Sequence, residues 1–93
     1  MTTSRSSDLL TADTLIWTGR GLLTGVSVLA DGTNAATVVI YDGLTATGKV
    51  LAKVIVDATT TESHIDFSRP VVAEIGIFAD IAGTGAEYIV YTG

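Results

Sequence analysis

His64 and Asp66 are the first residues to weigh for chemistry, because an imidazole two positions from a carboxylate can form part of a general base or a metal site. His64 is the sole histidine and there is no cysteine, whereas a zinc site takes its ligands from several such groups. The spacing therefore predicts a solvated imidazole on an outward strand face. Asp31-Gly32 and Asp42-Gly43 are Asp-Gly turns and lack the alternating acidic or amide ligands of a calcium loop. No serine lies in a Gly-x-Ser-x-Gly elbow, and no Gly-x-x-x-x-Gly-Lys phosphate cradle is present. Gly19-Arg20-Gly21 and Gly83-Thr84-Gly85 read as tight turns between strands. The residues predict no catalytic group, no metal and no cofactor, so the expectation is a protein that is not an enzyme.

The elements that would position these residues are all strands. Residues 37–41, Thr-Val-Val-Ile-Tyr, form an unbroken β-branched and aromatic run, which Asp42-Gly43 ends. A second run over 49–56 follows a small polar connection, and together they read as one antiparallel hairpin. Upstream, Leu15-Ile16-Trp17 begins a short strand, with Trp17 read as core filling. Over 22–30, Leu22, Thr24, Val26, Val28 and Ala30 share one face, and Gly25 within the run signals a bulge or a close backbone approach. Asp31-Gly32-Thr33-Asn34 has hairpin-turn chemistry, so the strands over 22–30, 35–41 and 49–56 are expected to form a meander.

Downstream, 57–62 is a polar connection. Over 63–67, Ile65 and Phe67 point inward and His64 and Asp66 outward. Arg69-Pro70 interrupts the ladder, because proline has no N–H to donate. Ile75, Ile77 and Ile81 share a predicted core face against Val38, Ile40 or Val54, opposite Glu74, Phe78 and Asp80. Residues 87–92 close the chain with a strand that is bulky on both faces. Seven or eight short strands with turn signals about every ten residues, and no helix, predict an antiparallel β-sandwich of jelly-roll type.

Length and composition bound the rest. The 93 residues suit one domain, taken as 13–93, behind an N-terminal arm of residues 1–12 that reads either as a disordered tail or as an ordered arm lying on a neighbour with Leu9 and Leu10 as anchors. The chain is 47% hydrophobic but 16% charged, where roughly a quarter charged is ordinary, so neutral surface is expected to be covered by further copies of the chain. Leu9 and Leu10 on the arm, the outward Phe78, and Tyr88 and Tyr91 on the closing strand are the expected contact residues. A net charge of −5 with unclustered cations argues against nucleic acid. No stretch has the length of a signal peptide or of a membrane helix of about 20 apolar residues, so the expectation is a soluble protein without a leader.

Three segments carry a resemblance. Gly21-Leu-Leu-Thr-Gly-Val-Ser-Val28, then Ala36-Thr-Val-Val-Ile-Tyr-Asp-Gly-Leu-Thr-Ala-Thr-Gly-Lys-Val-Leu-Ala52, then Ile75-Gly-Ile-Phe-Ala-Asp-Ile-Ala-Gly-Thr-Gly-Ala-Glu-Tyr-Ile-Val-Tyr91 resemble small virion proteins of tailed bacteriophages. The likeness spans residues 19–92 and consists of strand and turn patterns. It implies a structural protein of the particle, decorating or cementing the head where capsomers meet. It further implies a homotrimer that contacts the major capsid protein, placed on the capsid surface after synthesis in the host cytoplasm. Related modules also occur in fibres, so the alternative is an adhesin that binds a host-surface glycan through Tyr41, Tyr88 and Tyr91. The resemblance implies no active-site residue.

Overall fold

The computed structural model describes residues 5–58 and 62–93. Residues 1–4 of the expected arm and 59–61 of the expected polar connection lie outside the described residues. Eight strands follow one another: β1 (Arg5–Ser6), β2 (Thr14–Thr18), β3 (Gly21–Leu29), β4 (Ala36–Asp42), β5 (Lys49–Val56), β6 (Glu62–Ala73), β7 (Gly76–Ala82) and β8 (Glu87–Thr92). They form two antiparallel four-stranded sheets, ordered β1-β8-β3-β6 and β2-β7-β4-β5. First pairs with last, second with seventh, third with sixth and fourth with fifth. Pairs β3–β8 and β4–β7 then join these ribbons into sheets. This is a jelly roll: one long hairpin, with β4–β5 at its tip, rolled until its two halves face each other.

The β4–β5 hairpin is accordingly the one connection that stays within a sheet, and it pairs Ala36 with Val56 through to Asp42 with Lys49. Every other connection crosses between sheets. The expected meander is corrected here, since β3 belongs to the sheet opposite β4. The turn chemistry was sound but served a crossing. Asp31 Oδ1 accepts from the amides of Thr33 and Asn34 at 2.8 Å each, closing the corner without a ladder. Those two amides, Asn34 first, hold the Asp31 carboxyl below its usual value.

The core lies between the inward faces. Leu23, Val26, Val28, Tyr88 and Val90 of one sheet meet Val38, Ile40, Val54, Val56 and Ile77 of the other, all buried. Each such aliphatic residue stabilises by about 1.5–3 kcal/mol relative to exposure. A bulge at Thr24, between the pairs of Leu23 and Gly25, shifts the phase of β3 so that Leu23, not Leu22, joins Val26 inside. Gly25 is required there: a Cβ would lie 2.8 Å from the Ile65 carbonyl oxygen. On β6 the ladder passes from Asp66 opposite Gly25 to Val71 opposite Leu23, so residues 67–70 bulge out. Pro70 thus sits on an edge strand, where its missing N–H forfeits no ladder bond.

The corner between β6 and β7 crosses sheets in two residues, which leaves amides with no ladder partner. Asp42, 8% exposed, supplies one. Its Oδ1 accepts from the Glu74 amide at 3.0 Å, the Ile75 amide at 2.8 Å and, at 3.4 Å, the Gly76 amide. Its Oδ2 accepts from the Glu74 amide at 3.0 Å. Gly43 N–H donates to Gly76 O, and Gly19 N–H to Ile75 O. Pulled into this corner, Ile75 is 58% exposed, which corrects its expected place in the core; Ile77 is buried and Ile81 partly so.

Ile77→Ala is expected to destabilise by about 2–5 kcal/mol in urea unfolding, and Ile75→Ala by less than about 0.5 kcal/mol. Equal losses would mean that Ile75 packs as core. The amides of Glu74 and then Ile75 hold the Asp42 carboxyl below its usual value of 3.8. The stability this contributes is present above that value and is lost as pH falls through the folded-state value. Asp42→Asn should therefore lower the melting temperature near neutrality and flatten its fall as pH drops through and below the ordinary carboxyl value of 3.8. An unchanged acid limb would show that the corner does not depend on the charge.

Candidate functional site

The imidazole singled out above has a partner that sequence reasoning missed. The β3–β6 register sets Ser27 directly opposite His64. Ser27 Oγ and His64 Nδ1 are 2.5 Å apart, and His64 Nε2 lies 2.8 Å from Asp66 Oδ1. A serine, an imidazole and a carboxylate are thus linked in series on the outer face of the first sheet. Expecting β3 beside β4 hid this, since only the β3–β6 pairing brings Ser27 to His64.

In the tautomer with the proton on Nε2, His64 would accept from the Ser27 hydroxyl, but acyl transfer also needs donors aimed at a developing oxyanion. Ser27 lies mid-strand, paired with His64 on one side and Ile89 on the other, so its own amide belongs to the ladder. Tyr91 packs edge-on against the imidazole, with ring centres 5.7 Å apart at 80°. The group acts as a cross-strand tie. Around it the face is acidic, with Leu29 between Glu62 and Glu87, and Gly25 between Asp66 and Tyr91.

The outer face of the second sheet is of opposite character. Leu15 of β2 lies opposite Phe78 of β7, Phe78 opposite Tyr41 of β4, and Tyr41 opposite Val50 of β5. These four residues cross the whole sheet in one row. Leu15 is 41% and Val50 52% exposed, while Phe78 and Tyr41, flanked on both sides, are half-buried. One row along, Asp80 lies opposite Val39 and Val39 opposite Lys53. Ile55, 62% exposed, lies opposite Thr37 beyond them. Asp13, whose Oδ1 accepts from the Ile81 amide at 2.8 Å, stands beside Asp80. Burial first, then the Asp13 charge, pushes the Asp80 carboxyl above its usual value. The face is apolar, with two carboxylates toward one edge and one ammonium toward the other.

The expected contact residues divide among three places. Phe78 is at the centre of the apolar row, and Tyr91 is on the acidic face beside His64. Tyr88 is fully buried, so its side chain is core and the contact role expected for it is corrected. The strand's alternation left its two faces equivalent; the inward one is set by β8 pairing with β3, which aligns Tyr88 with Val28. Its hydroxyl donates to Ala12 O at 2.7 Å.

Residues 5–12 of the arm lie on their own chain. β1 pairs with β8, the Ser7 amide donates to Val90 O, and Leu10 and Tyr88 exchange both backbone bonds. Leu10 packs against the core, and Leu9 is exposed. Between β1 and β2 opens a cleft of about 230 Å³, lined by Arg5, Leu10, Leu15, Ile16, Trp17 and Thr92 among others. Trp17 is 40% exposed on its wall, which corrects its reading as core. Its Nε1 donates to Arg20 O at 3.0 Å, and Gly21 leaves room for its ring.

Phe78 and the arm should therefore behave differently. Phe78→Ser is expected to keep the β-sheet circular dichroism and nearly the wild-type melting temperature. Deleting residues 1–12 uncovers Tyr88 and removes the β1 pairing, so it should lower the melting temperature. The reverse ranking would place Phe78 in the core and the arm on a neighbour. Comparison with protein-family models, with curated proteins and with solved structures gives no match to this chain.

Proposed function

We propose that the chain is a structural virion protein, a bacteriophage capsid decoration or cement subunit that stabilises the head at capsomer junctions. Its partners are further copies of itself, three being the number that the resemblance implies, and the major capsid protein. The observation that carries this reading is the unbroken row Leu15, Phe78, Tyr41 and Val50 across the outer face of the second sheet. Contiguous apolar surface of this kind marks a contact. A low charge density and a fold whose polar bonds serve mainly to tie strands together accord with a protein whose work is burial.

A second reading, a fibre or adhesin module for a host-surface glycan, draws on the cleft beside β1. There the tethered Trp17 faces a rim that includes Arg5, Ser6 and Thr14, and an aromatic wall with polar groups suits a sugar ring. Tyr41 and Tyr91, which that reading assigned to the glycan, lie on opposite faces of the sandwich, and Tyr88 is buried.

Two measurements test the first reading. Sedimentation at micromolar concentration should give a multiple of 9.6 kDa. Purified protein added to phage capsids that lack it should give density at capsomer junctions in electron micrographs. A clean monomer that leaves capsids bare would overturn the proposal, and density confined to the tail would favour the second reading.

A further inference from the structure

We infer that the outer face of the β2-β7-β4-β5 sheet pairs with the same face of a second copy about a two-fold axis parallel to the strands, between β7 and β4. This rests on the self-association reading above and gives two copies where the resemblance implies three. Such an axis exchanges β2 with β5 and β7 with β4. Leu15 then meets Val50 of the second copy, and Phe78 meets Tyr41 of the second copy, so the apolar row covers itself.

The charges select this arrangement. Asp13 and Asp80 stand side by side with no cation opposite them in their own sheet, since Val39 separates Asp80 from Lys53. Lys53 therefore lies two strand spacings from Asp80, roughly 10 Å. Among the described residues the one ion pair is His64–Asp66, on the other face. The same axis carries Lys53 of the second copy over Asp13 and Asp80, and does so twice by symmetry. A two-fold axis across the strands through the Val39 row would instead set Lys53 against Lys53. The opposite face offers no such match: its Glu62, Asp66 and Glu87 would meet like charges.

The size of the face fixes the expected strength. Four strands at about 4.8 Å spacing and about seven residues of length present roughly 400 Å² in projection per copy. Two such faces bury about 800 Å², below the roughly 1,200 Å² at which standard interfaces begin, so pairing should be weak and appear only toward the upper micromolar range or above.

Charge reversal tests the proposal. Lys53→Glu and Asp80→Lys each create two like-charge contacts in a self-pair, and each should weaken pairing by about tenfold or more in sedimentation equilibrium. Mixing the two variants restores both opposite-charge contacts, so the mixture should pair as the wild type does. As a second measurement, the variant carrying both Leu15→Cys and Val50→Cys should be joined into a covalent dimer by a two-carbon bismaleimide, since stacked sheets lie about 10 Å apart, beyond the reach of a disulfide. Within one chain these positions lie three strand spacings apart, about 14 Å, too far for that linker, and the protein has no other cysteine. Wild-type protein that associates with neither charge effect nor cross-link overturns this face and leaves self-association standing. A wild-type mass of three copies without the cross-link overturns the two-fold arrangement. Wild-type protein that stays at 9.6 kDa at every concentration overturns both.

Discussion

The buried carboxylate of Asp42 closes the tightest corner of the roll. A jelly roll must pass its chain repeatedly from one sheet to the other, and each passage strands backbone donors outside any ladder. Between β6 and β7 the passage takes two residues, and the three amides of Glu74, Ile75 and Gly76 all turn to Asp42. Asp42 is also the last residue of β4, at the tip of the rolled hairpin. One side chain thus fixes the hairpin tip against the corner that returns the chain over it. Gly48 and Gly76 serve the same joint: a Cβ on Gly48 would strike Asp42 O, and one on Gly76 would lie 2.9 Å from Gly43 O.

With the corners fixed, the inward faces are set and the outward ones are what remains for function. On the first sheet the outward residues mix Glu62, Glu87 and the Ser27–His64–Asp66 tie with Leu29, Ile89 and Tyr91. On the second they are Leu15, Phe78, Tyr41, Val50, Val39 and Ile55, with charge only toward the edges. A domain of this size buries a limited share of its surface, and the alternation of β-strands forces every second residue outward. Apolar residues at those outward positions are the surface on which the proposed contact rests.

Local signals in the sequence were legible, and pairings beyond the tip hairpin were not. The hairpin of β4 and β5, the bulge at Gly25 and the interruption near Pro70 all follow from residue chemistry within a few positions. The outward phase of Phe78 was legible too, because Ile77 and Ala79 alternate with it. The partners of β3 were not, since turn chemistry at Asp31-Gly32 is the same for a hairpin and for a sheet crossing. From that one ambiguity came the missed Ser27–His64 contact. Ile75 misled because period-two alternation extends by one residue into the corner, where Asp42 and not the core sets its place. Tyr88 misled because a strand bulky on both faces does not declare its inner side until its neighbours are known. Trp17 misled because bulk alone does not show that a side chain lies at a sheet edge.

Edge chemistry narrows the surface further. β5 and β6 are free edges of the two sheets. Lys49 and Lys53 place ammonium groups along the first, and Pro70 with the bulge over 67–70 breaks the regularity of the second. Both devices oppose strand addition from another chain. At the other side, β1 and β2 end their sheets around the cleft that Trp17 walls. Extension of either sheet is thus disfavoured on one side and shaped by a cleft on the other. The broad apolar surface without such protection is the outer face of the second sheet. For the self-association proposed above, protected edges and an unprotected face together favour stacking of sheets over their elongation.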